Sequence, residues 1–346
     1  MGKGTCRFAL GFRLVISTLI VATFLATALG HDAEAKRRRG GGRKSRPIAA
    51  LTRDGLPNVQ ASGAIVVDLD SGQEIFSKNA DDLRFIASTT KIFVAMVVRA
   101  KGIDLEGETV ISDDDQYRAR GGAKSRLLVG RRFKNKDLLR AMLIGSDNRA
   151  CSALARGAGM TPDQLIDGMN ALARKLGLKK TKFTDPSGLH GNESTPREMA
   201  VALREALTDP LLAEIMSTRE AEVHAVDSGE TVQKGKKVIK KSSYSVHYNN
   251  TNVSLRTSKF SVVGGKTGYT DLARYCLVVA AKIGGKRYAM SFLGAEGELT
   301  RFADFQRVCE WIESGKAGAQ AAAAHGKGIG ALADPPPAAV IPRLAR

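Results

Sequence analysis

Cysteine is scarce in this 346-residue chain, with four in all, and Cys6 lies ahead of the first apolar run. The other three, Cys151, Cys276 and Cys309, are an odd number without regular spacing. That excludes a disulfide framework and leaves room for one pair, Cys276 with Cys309. The five histidines include no two at metal-ligand spacing, so neither a metal nor another cofactor is expected. There is no internal repeat, and beyond the N-terminal apolar run no segment is long enough to cross a bilayer. Acidic residues are short, 35 against 53 Lys and Arg. The imbalance sits largely in the ends. Ten basic residues face two acidic ones before position 51, and four face one after 314, leaving about +7 for the body. That is an ordinary excess, not the basic stripe of a nucleic-acid binder.

The N-terminus reads as an export signal. Lys3, Arg7 and Arg13 precede an apolar run from Leu14 to Leu29, and Ala33-Glu34-Ala35 offers a cleavage site, with Ala28-Leu29-Gly30 as the alternative. Residues 1–35 are therefore a signal peptide, or an anchor if cleavage fails. A destination in the periplasm or cell envelope follows. Residues 36–58 are a flexible linker whose basic arm, Lys36–Arg46, suits electrostatic contact with anionic wall polymer or membrane. Residues 315–346, rich in Ala, Gly and Pro, read as a disordered tail.

Between the ends, Ala64–Leu69 and Glu74–Phe76 flank Asp70-Ser71-Gly72, a hairpin signal. Residues 135–217 read as almost wholly helical. Thr161-Pro162 looks like a helix start, Gly177 a stop, and Thr195-Pro-Arg-Glu198 a capping box. Strands return after Arg219: Phe260–Val263, then Tyr275–Ile283 and Arg287–Leu293 about Gly284-Gly285. A closing helix, Glu298–Glu313, carries Phe302, Phe305, Val308 and Trp311 at core spacing. The fold class is thus mixed α/β (α+β). One antiparallel sheet is built from N- and C-terminal segments, with flanking helices and an inserted helical region at about 100–217, all within a 59–314 domain.

Ala87-Ser88-Thr89-Thr90-Lys91 runs straight into the apolar Ile92–Val98, which reads as a buried helix. The Ser–x–x–Lys spacing stacks Ser88 and Lys91 one turn apart, supplying a nucleophile and a candidate base without histidine. A serine cap beside a snorkelling lysine is the alternative, and the spacing alone decides nothing. Two further triplets follow: Ser146-Asp147-Asn148 between helical stretches, and Lys266-Thr267-Gly268 on a strand. S-x-x-K, S-D-N and K-T-G in this order are the recognised signature of penicillin-binding proteins and class A β-lactamases.

The chemistry assigns roles. Ser88 would attack a peptide carbonyl. Lys91, ordinarily titrating near ~10.4, serves as base only if desolvation and a second cation, Lys266, depress it. Ser146 could relay the proton to the leaving amine, and Asn148 could orient Lys91 and hold the substrate amide. Backbone N–H groups of Ser88 and Tyr269 would form the oxyanion hole. Gly268 leaves room for a substrate along the strand edge.

Over roughly residues 60–313 the chain resembles the low-molecular-mass penicillin-binding proteins of the D-alanyl-D-alanine carboxypeptidase family. Lys266-Thr-Gly-Tyr-Thr-Asp with Arg274-Tyr-Cys-Leu-Val-Val carries the likeness, as do Asp185-Pro-Ser-Gly-Leu and Ser194-Thr-Pro-Arg-Glu-Met-Ala. The resemblance implies a β-lactamase/transpeptidase-like fold and a Ser88 acyl-enzyme formed with peptidoglycan peptides. It also implies β-lactams as covalent inhibitors, with Lys266, Thr267 and Thr270 near the substrate's terminal carboxylate. Arg301 falls where the family has a carboxylate-binding arginine. Ending in low-complexity sequence soon after the closing helix, the chain looks more like the short penicillin-binding protein 7 type, a D-alanyl endopeptidase, than the larger carboxypeptidases. Two rivals stand beside this reading. A β-lactamase would need a deacylating glutamate, and neither Glu193 nor Glu198 lies in an E-x-x-L-N setting. An inactive wall-binding module would leave the intact triad unexplained.

Overall fold

The computed structural model describes residues 48–235 and 237–317. The export segment, the Lys36–Arg46 arm and the tail from 318 onward lie outside the described residues. The described residues from Ala49 on group into one unit.

Five strands form the main sheet: β1 (Gly63–Asp68), β2 (Glu74–Lys78), β7 (Ser261–Thr270), β8 (Arg274–Ile283) and β9 (Lys286–Ala295). Their order is β7-β8-β9-β1-β2, antiparallel throughout, so both ends of the chain build one sheet as the sequence suggests. Gly284 and Gly285 make the β8–β9 turn with φ of 56° and 87°, a left-handed pair that glycine adopts without strain. Along β8 the side chains alternate between two cores. Leu277, Val279, Ala281 and Ile283 join Phe302, Phe305, Val308 and Trp311 of the closing helix, while Cys276, Val278 and Ala280 face the other helices. The closing helix, α8 (Thr300–Glu313), is tied down by Asp304, which accepts from the backbone N–H groups of Gln60 (2.8 Å) and Ala61 (2.7 Å).

This two-sided burial settles the cysteines. Cys276 and Cys309 lie in cores on opposite faces of the sheet, and Cys151, Cys276 and Cys309 are all free and buried. The Cys276–Cys309 pair left open by the sequence is therefore not formed.

The second face of the sheet meets the helical region. Helix α1 (Lys91–Ala100), opened by a 3₁₀ turn at Ala87–Thr90, is followed by α2 (Asp113–Arg118), α3 (Asn135–Leu143), α4 (Arg149–Gly157), α5 (Pro162–Lys175), α6 (Pro196–Ala206) and α7 (Pro210–Ser217). Two stretches depart from the sequence reading. Residues 176–195 are not helical: Gly177 (φ 72°) stops α5 as expected, but the chain then makes a loop punctuated by Gly188 and Gly191. The capping box at Thr195 is only half formed. Thr195 accepts from Glu198 N, but the Glu198 carboxylate instead accepts from Lys180 N (2.9 Å) and the Thr181 hydroxyl (2.6 Å). Thr161 and Gln164 do form the full box.

After α7 come two ribbons: β3 (Glu220–His224) paired with β6 (Ser245–Asn249), and the exposed hairpin β4 (Thr231–Lys234) and β5 (Lys237–Lys240). No helix among the described residues is long and apolar enough to cross a membrane. Nor do the described residues contain a group of three His, Cys, Asp or Glu able to hold a metal ion.

Candidate active site

Ser88 sits in the 3₁₀ turn ahead of α1, directly after Ala87, whose φ of 46° is unusual for a residue with a Cβ. Such a conformation costs about 1–3 kcal/mol and persists only where its surroundings hold it. Two glycines do so from either side. A Cβ at Gly188 would lie 1.9 Å from the Ala87 carbonyl oxygen, and one at Gly268 would lie 2.9 Å from both Ile86 O and Ser88 N. The serine is thus clamped between the 185–192 loop and strand β7.

Lys91 is wholly buried, and its Nζ donates to Ser88 Oγ (2.7 Å), Asn148 Oδ1 (2.7 Å) and the Ser187 carbonyl (2.9 Å). These acceptors use all three N–H bonds of an ammonium. A neutral amine keeps two and can receive the Ser88 proton on its lone pair. Burial holds the Lys91 pKa below its usual range, opposed more weakly by the Asp185 and Asp147 carboxylates. Burial also pushes the Cys151 thiol up to about 12, so this neighbour stays protonated.

The Ser187 carbonyl was not foreseen from sequence, and its placement has a cause. Asp185 Oδ1 accepts from Ser187 N (2.8 Å), Ser187 Oγ (2.7 Å), Gly188 N (2.8 Å) and Leu189 N (3.2 Å), and Oδ2 accepts from His190 N (2.9 Å). Burial raises the Asp185 carboxyl, but these donors outweigh it and hold the pKa below the usual value. Buried Asn192 ties the loop to the serine turn, donating to Thr90 Oγ1 (3.1 Å). An Asp-x-Ser-Gly run favours an Asx turn, and the fold shows what that turn is aimed at.

The Ser146-Asp147-Asn148 turn joins α3 to α4, with Ser146 itself at φ 59°. Asn148 reaches Lys91 as expected. Ser146 is half-buried, and no hydrogen bond from its hydroxyl to Lys91 is formed. Asp147 is the anchor of the turn, accepting from Ser125 Oγ (2.6 Å), Arg126 N (3.1 Å), Arg149 N (3.1 Å) and Tyr248 OH (2.8 Å). Tyr248 fits because residue 145 is glycine: a Cβ there would lie 1.9 Å from the ring.

On β7, the free edge strand of the sheet, Lys266 is buried and its Nζ donates to the carbonyl of Thr267 (3.1 Å). Its pKa lies well below the usual lysine value because of burial, then the charges of Lys91 and Arg301. Thr267 Oγ1 donates to Thr251 Oγ1 (2.6 Å), and Thr251 N donates to Ile144 O (3.1 Å), linking the strand to the Ser146 turn. Arg301 is no exposed helix arginine. It is 5% exposed, donates to the Gly268 carbonyl (3.0 Å), and keeps its Nε buried without a partner. Three basic side chains, Lys91, Lys266 and Arg301, therefore converge beside Ser88. Tyr269, by contrast, is 44% exposed and stacks on Tyr275, while Thr270 Oγ1 accepts from Ala273 N (3.1 Å) in the β7–β8 turn.

Residues 50–297 match the family model described as D-alanyl-D-alanine carboxypeptidase. The chain belongs to this family. Among curated proteins, the D-alanyl-D-alanine endopeptidase of Escherichia coli is 32% identical over 87% of this chain and 89% of its own length. The endopeptidase of Pseudomonas aeruginosa is 33% identical over 78% and 84%. The crystal structure of the Streptomyces K15 DD-transpeptidase superposes with a TM-score of 0.65 at 27% identity, covering 74% of this chain and 97% of that one. Family, relatives and fold make the protein a serine DD-peptidase of the penicillin-binding type, a hydrolase. The family match ends before Arg301, whose place in the site rests on geometry alone.

Proposed function

We propose that the protein cleaves D-alanyl peptide bonds of peptidoglycan through a Ser88 acyl-enzyme, with cross-links preferred over free pentapeptide ends. The 2.7 Å contact between Ser88 Oγ and a wholly buried Lys91 amine carries the reading. Lys91 takes the Ser88 proton as Oγ bonds to the scissile carbonyl carbon. The carbon–nitrogen bond then breaks, and the leaving amine receives a proton through Ser146. Water hydrolyses the ester and restores Ser88. The Ser88 and Tyr269 N–H groups would hold the oxyanion, Asn148 the substrate amide, and Lys266, Thr267 and the unpaired Arg301 Nε the terminal carboxylate, with Gly268 leaving the strand edge open and Thr270 at its end. A carboxylate arriving beside Lys266 favours an ammonium there, which favours a neutral Lys91.

The preference for cross-links rests on the two relatives named endopeptidases, which match along most of their length. Purified muropeptides test it: cross-linked dimers should be consumed first, and free D-alanine as the main product would reverse the assignment. Penicillin should acylate Ser88 and persist. Of the two candidate deacylating glutamates, Glu198 is committed to Lys180 and Thr181, and Glu193 lies in a strand bridge to Lys182. Intact mass shows the adduct, and rapid penicillin turnover would favour a β-lactamase instead. We further propose export by the N-terminal segment and a salt-sensitive hold on wall or membrane by Lys36–Arg46. Deleting the arm should weaken sedimentation with envelope at low salt only.

A further inference from the structure

The segment Arg120-Gly-Gly-Ala-Lys-Ser-Arg126 forms a lip on the Ser146–Asn148 turn, and its three cations take no part in the chemistry above. Its backbone is held firmly. Ser125 Oγ and Arg126 N both donate to Asp147 (2.6 and 3.1 Å), and Tyr244 OH donates to the Arg126 carbonyl. Gly122 lies so close to the site that a Cβ would stand 2.3 Å from Asn148 Nδ2. The charged groups, in contrast, are open. Arg120, Lys124 and Arg126 are exposed, and none makes an ion pair among the described residues. Nearby arginines differ: Arg118 pairs with Asp114 at 2.8 Å, and Arg156 with Asp115 at 2.5 Å. Arg126 is also oriented, its guanidinium 4.3 Å over the ring of Tyr248, whose hydroxyl reaches Asp147.

The polarity of the cleft says what this lip meets. The terminal carboxylate belongs with Lys266 and Arg301 on the β7 side, the scissile carbonyl with Ser88, and the preceding amide with Asn148. Substrate residues upstream of the scissile bond then leave past Asn148, under the 120–126 lip. In a stem peptide, a glutamate linked through its side-chain carboxyl keeps its α-carboxylate free, and amidation removes that charge. We infer that Lys124 and Arg126 form a second carboxylate subsite reading the upstream part of the stem peptide. The inference rests on the DD-peptidase reading and deepens it.

The test uses two synthetic stem peptides that differ only in a free carboxylate or a carboxamide at that glutamate. For the full chain, kcat/KM should favour the carboxylate by about 3- to 10-fold at low salt, as expected of exposed charge pairs, and the advantage should fade at high salt. In the Lys124→Gln/Arg126→Gln double variant the ratio should fall to about one, Arg126→Lys should retain most of it, and Arg126→Glu should reverse it. Equal kcat/KM for the two peptides in the unaltered protein, or a preference that survives in the double variant, overturns the subsite. Penicillin separates the two levels. If the unaltered protein is acylated at Ser88 yet does not discriminate between the peptides, the subsite alone fails. If it is neither acylated nor active, the DD-peptidase reading fails and the subsite with it.

Discussion

Lysines occupy two contrasting regions of this molecule. In the cleft, Lys91 and Lys266 are 0% and 1% exposed, while on the β4–β5 hairpin every described residue is exposed, Lys234, Lys237 and Lys240 included. The side chain is the same. What differs is the company it keeps. Water solvates the hairpin ammonium groups and leaves them interchangeable. In the cleft, desolvating an ammonium costs several kcal/mol, offset for Lys91 by three acceptors at 2.7–2.9 Å. Lys266 has one carbonyl acceptor and two nearby cations, so its charge is the less well compensated. A lysine becomes a usable base when its surroundings make the proton easy to lose, and that condition exists only in the first region.

The sharpest test of this contrast is Lys91→Arg. Arginine preserves charge and much of the stem but cannot give up its proton at working pH. Acylation by penicillin should slow at least ~10²-fold in a protein that remains folded by circular dichroism. Near wild-type acylation would remove Lys91 from the role of base. Next comes Lys266→Ala. Acylation should rise with pH along a limb below the ordinary lysine pKa, because the active form needs a neutral Lys91. Without Lys266 the shared proton has no other amine, so the limb should move to higher pH and carboxylate-bearing substrates should bind more weakly. A pH–rate profile reads the first effect, and a limb that stays in place would uncouple the two lysines.

Asp147→Asn gives a smaller effect on a different quantity. It keeps the volume but weakens acceptance from Ser125, Arg126, Arg149 and Tyr248, and should lower stability by about 1–3 kcal/mol in urea titration. Smallest of all should be Lys237→Ala with Lys240→Ala on the hairpin. Stability should stay within about 0.5 kcal/mol and penicillin acylation should be unaltered. A loss of acylation there would break the distinction between the two regions.

Reading residues in order singles out Ser88, Lys91, Ser146, Asn148 and Lys266 because each motif is local and chemically distinctive. The sheet was legible for a similar reason: alternation and the Gly284-Gly285 turn act over a few positions. What escaped depends on contacts made across the chain. The Ser187 carbonyl is a backbone atom with no side-chain signature. Tyr248 joins Asp147 over a separation of 101 residues, and Gly122 and Gly188 matter only because Asn148 and Ala87 press against them. Glu198 was misread because a capping box looks the same in sequence whether or not a closer donor, here Lys180 N, captures the carboxylate. The sequence marks the stop at Gly177 and the start at Thr195, but the apolar spacing across 135–217 hides how long the loop between them is, with its breaks at Pro186, Gly188 and Gly191.

The order of strands has a further consequence, for the nascent chain. Gly63 of β1 pairs with Leu293 of β9, and the Ser88 turn is wedged against Gly268 of β7. When the chain emerges from the ribosome N-terminus first, the reactive serine is made early, but the strands that hold it are made among the last. The β1–β2 hairpin alone is too small to be stable in water, and closing so long a loop is slow. An unfinished polypeptide therefore carries the serine without the wedge, the second lysine or the arginine. Such a chain cannot acylate prematurely.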